Sequence, residues 1–306
     1  MTAKPDTGRA AVSRRRLLLG GAAGAALAGL SVAAPAKAAP APATRPAPVD
    51  IVIHPDSFTA PSQLRGGTIT FRVSTPEPGG RSLLLVKLRP GVSLDRFLAA
   101  LAATSAQTPA ERAAAEREVM ACAENLGGAV VTPDSRVSFT QFVLPGTYHL
   151  VNYDYTSATA VPQVQQLTVT GLSAPRFPDI DDYVLHRERN DSVSFLVPSR
   201  KLKATGEHLV VNTTRHTNEA VLSRLVPGAT AEDVAEYFET IRNGQWPSES
   251  PLATPPVGLA PLSAGQKAIV RTELPPGSYL LYSWAANAET GHPRASEGLY
   301  RLITLV

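Results

Sequence analysis

The sequence predicts a mainly β chain of two β-sandwich domains in tandem, each interrupted by a helical insertion. The first observation behind this is an internal repeat. Ser57-Phe58-Thr59-Ala60-Pro61-Ser62 returns as Ser194-Phe195-Leu196-Val197-Pro198-Ser199, and Leu88-Arg89-Pro90-Gly91 returns as Leu225-Val226-Pro227-Gly228, both at one offset (57 to 194, 88 to 225). Leu144-Pro145-Gly146-Thr147-Tyr148 comes back as Leu274-Pro275-Pro276-Gly277-Ser278-Tyr279 after a slightly shorter interval. A repeat of that length is a whole domain rather than a solenoid unit. The second observation is a run of short alternating segments bounded by Gly, Pro, Ser and Asp, the punctuation of an antiparallel sandwich. The third is a pair of capped helical stretches between Leu-x-Pro-Gly and the next strand.

In chain order, residues 1–38 read as an export signal. Ser13-Arg14-Arg15-Arg16-Leu17-Leu18-Leu19 precedes an uncharged Gly/Ala-rich stretch, which ends in the small-x-small cleavage pattern Ala36-Lys37-Ala38. Arg14 and Arg15, directly before the apolar run, resemble the pair read by the twin-arginine translocase, the partner expected during export. Cleavage between the leader and the mature chain is read from Ala36 and Ala38. No other segment is long and apolar enough to span a bilayer, so no membrane span is expected after cleavage. Residues 39–49 form an Ala/Pro-rich tether.

Charge follows the leader. The whole chain carries 29 Lys+Arg against 26 Asp+Glu. Removing residues 1–38, with Lys4, Arg9, Arg14, Arg15, Arg16 and Lys37 against Asp6, leaves 23 basic and 25 acidic side chains. The basic isoelectric point therefore belongs to the leader and carries no weight as a binding signature, and no nucleic-acid partner is expected.

Domain 1 spans 50–172, with strands expected over 51–54, 68–73, 83–88, 136–143, 148–153 and 165–169. Ser93 caps a helix carrying Leu94, Phe97, Leu98 and Leu101. Thr108-Pro109-Ala110-Glu111 matches a capping box with proline at the first helical position, and Gly127-Gly128 is expected to end that second helix. Cys122 shares an apolar face with Val119 and Leu126, as a buried small hydrophobe without a disulfide partner. Residues 173–183 read as a solvated linker containing Asp179, Asp181 and Asp182. Domain 2, 184–306, keeps only the first helix, opened by Thr230 and closed by Asn243-Gly244. A Pro-rich loop from Trp246 to Pro261 replaces the second, and Trp246 is expected to plug the gap.

The order of Leu-x-Pro-Gly, helix, glycine-centred loop and Leu-Pro-Gly-x-Tyr-x-Leu resembles the Greek-key, cupredoxin-like domain of secreted bacterial proteins, over nearly all of residues 50–306. The resemblance implies a blue-copper scaffold, whose site needs imidazole and thiolate ligands. In the second repeat those positions fall on Asn218, Ser283, Arg294 and Leu299. In the first, Arg81 and Asn152 stand at the corresponding places. The resemblance therefore implies a scaffold that has lost its copper, with no cofactor.

No metalloprotease, nucleophile-elbow, Walker, dinucleotide or Cys-x-x-Cys motif occurs. His216 and His292, on loops that carry metal ligands in the resembled family, are the only metal candidates. Trp246, Trp284 and Arg294 form the candidate binding surface. The expectation is an exported, non-catalytic protein that binds an envelope or extracellular ligand or protein. The alternatives are copper capture or delivery through His216 and His292, and a secreted enzyme with an unrecognised site.

Overall fold

The computed structural model describes residues 47–153, 162–190 and 192–306, so the export signal and cleavage site lie outside the described residues. In the first half the alternating segments fold as β1 (Val49–Ile53), β2 (Phe58–Thr59), β3 (Gln63–Ser74) and β4 (Arg81–Leu88), then α1 (Leu94–Ala103) and α2 (Pro109–Cys122). They continue as β5 (Ala123–Val131), β6 (Val137–Val143), β7 (Gly146–Tyr153) and β8 (Gln163–Leu172). The second half contains β9 (Asp182–Arg189), β10 (Ser192–Leu196), β11 (Lys201–Leu202), β12 (Glu207–Asn212) and β13 (Asn218–Arg224), followed by α3 (Ala231–Arg242). It closes with β14 (Val257–Leu262), β15 (Lys267–Thr272), β16 (Gly277–Tyr282) and β17 (Tyr300–Leu305).

These strands make a sandwich of two sheets. One runs β2-β1-β3-β6-β15-β12-β9-β10. The other runs β3-β8-β7-β4-β5-β14-β13-β16-β17-β11, with the first residues of β3 turning into it. The pairings of the first half recur in the second: parallel β1·β3 in β9·β12, antiparallel β4·β7 in β13·β16, antiparallel β3·β6 in β12·β15. A tyrosine hydroxyl closes the same corner in each half. Tyr148 donates to the Leu144 carbonyl and Tyr279 to the Pro275 carbonyl, both at 2.9 Å.

The halves do not sit apart, for residues 45–306 form one compact unit. Each sheet crosses from one half to the other through an antiparallel pair, β6·β15 and β5·β14, the pairing that a twofold relation requires. The main core lies between the sheets, with Phe71 and Phe139 stacked at 4.9 Å near its centre. A second apolar layer, including Phe97, Val119 and Phe238, lies under the three helices on the outer face of the second sheet.

The caps are as expected: Ser93 Oγ accepts from Arg96 N, and Thr108 with Glu111 and Thr230 with Asp233 form capping boxes. Two expectations fail together. The second helix ends at Cys122, and Gly127-Gly128 and Leu126 lie inside β5; the expected loop over 246–261 contains β14 from Val257. Both strands are buried on both faces and pair with each other, so neither shows alternation. Their glycines have a backbone reason. A Cβ on Gly128 (φ 154°) would sit 1.9 Å from the Leu83 carbonyl oxygen, and one on Gly258 (φ 147°) 2.5 Å from that of Ala220. Cys122 is buried as expected. Residues 173–181 carry no strand, but Asp181 accepts from Glu207 N and pairs with the Lys203 ammonium, and Asp182 accepts from Lys203 N. These two carboxylates are held by protein donors.

Candidate functional site

The helix present only in the first half creates the main cleft. α2 lies on the outer face of the second sheet and reaches the other half, where Arg112 Nε donates to the Gly291 carbonyl at 2.9 Å and Arg117 to that of Ala288. Glycine is required at 291, since a Cβ there would meet the Pro109 carbonyl oxygen at 1.7 Å. In the second half the chain after α3 runs as a loop with Pro247, Pro251, Pro255 and Pro256 and leaves the space between α2 and α3 open. The resulting cavity is about 1270 Å³ and is floored by the sheet where β5 meets β14.

Two carboxyls face this cavity, one from each half. Glu116 projects from α2 and Glu219 from β13, 6% and 8% exposed. Burial pushes the Glu116 carboxyl up to about 7, and the nearby Glu219 adds to the rise. The Thr217 hydroxyl offsets this in part without making a hydrogen bond of normal geometry. Burial likewise raises Glu219 to about 7, against the pull of the Trp284 and Ala285 amides. Glu219 Oε2 accepts from Trp284 N at 2.8 Å. Glu116 Oε1, Thr217 Oγ1 and Asn125 Oδ1 also line the cavity, buried and without hydrogen-bond partners.

The aromatic wall corrects an expectation. Trp246 does not plug the gap: it is 77% exposed, its ring stacked 6.3 Å from that of Trp284 at an interplanar angle of 20°. The half-buried Trp284 in turn packs edge-on to Phe238 and Tyr282. The rings of α3 and β16 already fill the space beneath, so Trp246 is left at the cavity wall. Trp246 and Trp284 come together; Arg294, the third candidate, does not join them on a surface.

Arg294 is instead 3% exposed, its guanidinium 3.1 Å from Glu297 and 3.9 Å from Glu188. The strands do bring together the places where the resembled family holds copper. Ser283 Oγ accepts from Glu219 N, Ala295 N donates to the Ser283 carbonyl, and Ser283 N donates to the Leu299 carbonyl. The residues do not fit the metal. Asn218 Nδ2 is bound to Thr214 and Asn212, Ser283 Oγ is held by a backbone amide, Leu299 offers no donor atom, and Arg294 brings a positive charge. In the first half Asn152 Nδ2 donates to the His54 carbonyl, and Arg81 opens β4. Among the described residues no group of three or more His, Cys, Asp or Glu gathers to hold a metal.

His216 and His292 have different surroundings. His216 is buried with Glu188 Oε1 3.9 Å from Nε2, and burial together with Arg294 lowers its pKa. His292 lines the cavity beside Gly291. His186 is fully buried, its Nε2 2.7 Å from the Glu219 carbonyl, and burial drives its pKa down to about 4.

Sequence reasoning missed Glu116, Glu219, Thr217 and Asn125. Glu116 is one of three glutamates in an Ala-rich helix, where nothing distinguishes the inward one. Glu219 adjoins Asn218, which stands at a copper-ligand position of the resembled family, and a carboxylate near the start of a buried strand, Asn-Glu-Ala-Val-Leu, was the available signal.

No family model and no curated protein sequence matches the chain. Among solved structures, reduced auracyanin from Roseiflexus castenholzii is similar at 15% identity, over 40% of this chain and 94% of that one, with a TM-score of 0.25. A copper-containing nitrite reductase from Thermus scotoductus is similar at 12% identity, over 85% and 55% of the two chains, with a TM-score of 0.24. A multicopper oxidase is similar at 12% identity, over 84% and 88%, with a TM-score of 0.23. The mainly β sandwich architecture of this chain rests on its own strand pairings.

Proposed function

We propose that this chain is an exported, non-catalytic binding protein, built on two copper-less copies of a cupredoxin-like sandwich, whose ligand site is the cleft between α2 and α3. The observation that carries the reading is the exposed Trp246, stacked on Trp284 at the wall of a cavity of about 1270 Å³. Large exposed rings beside a concavity are typical anchors of a binding site. The two halves contribute the two walls. Asn218, Ser283, Arg294 and Leu299 at the ligand positions of the resembled family support the loss of copper. Arg14, Arg15 and the Ala36/Ala38 pattern support export, and no helix among the described residues is long and apolar enough to cross a membrane.

The test uses an internal reporter, because the chain has 2 tryptophans and both belong to this cleft. Small molecules that bind the protein by calorimetry should shift or quench its tryptophan emission. Binding that leaves the emission unchanged places the site elsewhere and overturns the reading. Replacing Arg14 and Arg15 together with lysine should hold the chain in the cytoplasm; unchanged secretion overturns the twin-arginine route.

A further inference from the structure

The oxygen atoms in the cleft point to a class of ligand. From α2 comes Glu116, whose Oε1 has no partner; from β13 comes Glu219, and from the residue just before that strand the unpartnered hydroxyl of Thr217; from β5 comes the unpartnered carbonyl oxygen of Asn125. Each of these side chains is more than nine-tenths buried. Two are carboxyls, one is an amide oxygen, and the fourth is a hydroxyl that can accept. A buried acceptor left unmatched costs about 1–3 kcal/mol, more if charged, so the set is complementary to something that brings donors and positive charge. The tryptophans add to this, since an indole face attracts a cation and receives an apolar body. The two features are joined at one residue: the carboxylate of Glu219 is bonded to the backbone amide of Trp284.

We infer that the cleft takes an organic ammonium compound, its charged head received by Glu116, Glu219 and Thr217 and its apolar body lying against Trp284 and Trp246. The inference rests on the reading of the cleft as a ligand site and names its ligand class. An ammonium group carries three donors and no acceptor, which matches an acceptor-rich pocket. A hard divalent cation fits less well: it asks for six or more oxygens and leaves the aromatic wall without a role. The other charged groups lining the cavity are Arg112, Arg242 and His292. Arg112 is engaged by the carbonyls of Gly291, Ala106 and Gln107, and Arg242 lies exposed at the end of α3. His186 packs behind Glu219, against its backbone carbonyl. Because both carboxyls hold a proton to about 7, uptake of a cation near neutral pH must expel protons.

The experiment compares three probes with one ring and different heads, phenethylamine, phenethyl alcohol and phenylacetate, on the whole chain by calorimetry with tryptophan emission in parallel. The amine should bind about tenfold or more tighter than the alcohol, the scale of one charge-assisted hydrogen bond, and phenylacetate most weakly. Its affinity should rise between about pH 6 and pH 8, with proton release seen as a dependence of the heat on buffer ionisation. The Glu116→Gln, Glu219→Gln double variant should lose the preference for the amine while still binding the alcohol. Should that variant not fold, the pH and buffer arms on the natural chain decide alone. Equal affinity for amine and alcohol, or no proton release, overturns the ammonium inference and leaves the cleft standing as a binding site. If none of the three binds, both the inference and the reading of the cleft fall.

Discussion

Phe139 of β6 stands directly opposite Val270 of β15, and the two are equivalent positions of the repeat. The equivalence follows from the ladders on either side: Val73 pairs with Val137 in one half as Val210 pairs with Ala268 in the other, and two residues further along lie Phe139 and Val270. The pseudo-twofold relation therefore passes through this pair. Phe139 is fully buried and belongs to the core shared by both halves.

From this we expect a single unfolding transition. Phe139→Ala should cost about 3–5 kcal/mol, the usual range for a deleted core aromatic ring. The loss should register equally in far-UV circular dichroism, which sees both halves, and in tryptophan emission, which sees only the second. A variant whose circular dichroism transition moves while its emission transition stays in place would show that the seam does not couple the halves.

The buried carboxyls set an alkaline limb. Their ordinary value is 4.5 and the folded value about 7, so between those values the folded chain holds more protons than the unfolded one. Stability must then fall as pH rises through this window. His186 works in the opposite direction: ordinarily at 6.5, it stays neutral in the fold to about 4, so its contribution is lost as pH falls between them. Glu116→Gln should flatten the alkaline limb and raise stability above pH ~7 by on the order of 3 kcal/mol. Urea titrations at a series of pH values check this, and an unchanged slope would mean that Glu116 is ionised throughout.

Arg294 offers a sharper loss. Arg294→Leu would leave Glu297 without the guanidinium now 3.1 Å away, a cost of up to about 3–5 kcal/mol for a broken buried pair, while Glu188 keeps Arg215 at 3.4 Å. Adding Glu297→Gln should recover part of it, because one uncompensated charge is removed. If the single variant is as stable as the natural chain in urea, the guanidinium is not what balances Glu297.

Trp246→Ala should be nearly silent for stability, within about 0.5 kcal/mol, because the ring is 77% exposed. It should move the emission maximum to shorter wavelength by removing the wetter of the two indoles. A loss of several degrees in thermal midpoint would show that the stack on Trp284 is structural.

Much of the fold was legible because its signals are local. The caps at Ser93, Thr108 and Thr230 are four-residue patterns, and Tyr148 and Tyr279 repeat a short motif whose hydroxyl bonds lie within the motif itself. What stayed hidden depends on contacts between the halves. β5 and β14 lose their alternation because they lie side by side at the centre of a sheet covered on both faces, and Gly127-Gly128 mimics a helix end because glycine serves close approach as well as termination. The aromatic half of the candidate site was visible in Trp246 and Trp284, although the exposure of Trp246 was not. Of the carboxyl half only Glu219, an acid among apolar strand residues, left a signal; its meeting with Glu116 was invisible, since the two lie far apart in sequence and come together only through the docking of α2.

That docking has a consequence for how the chain can be divided. The cleft draws one acid from α2, a helix found in a single half, and the other from β13 of the opposite half, so neither half holds both acids. Symmetry built the frame, and its breaking by α2 made the opening. Either half on its own would therefore lack one wall of the opening.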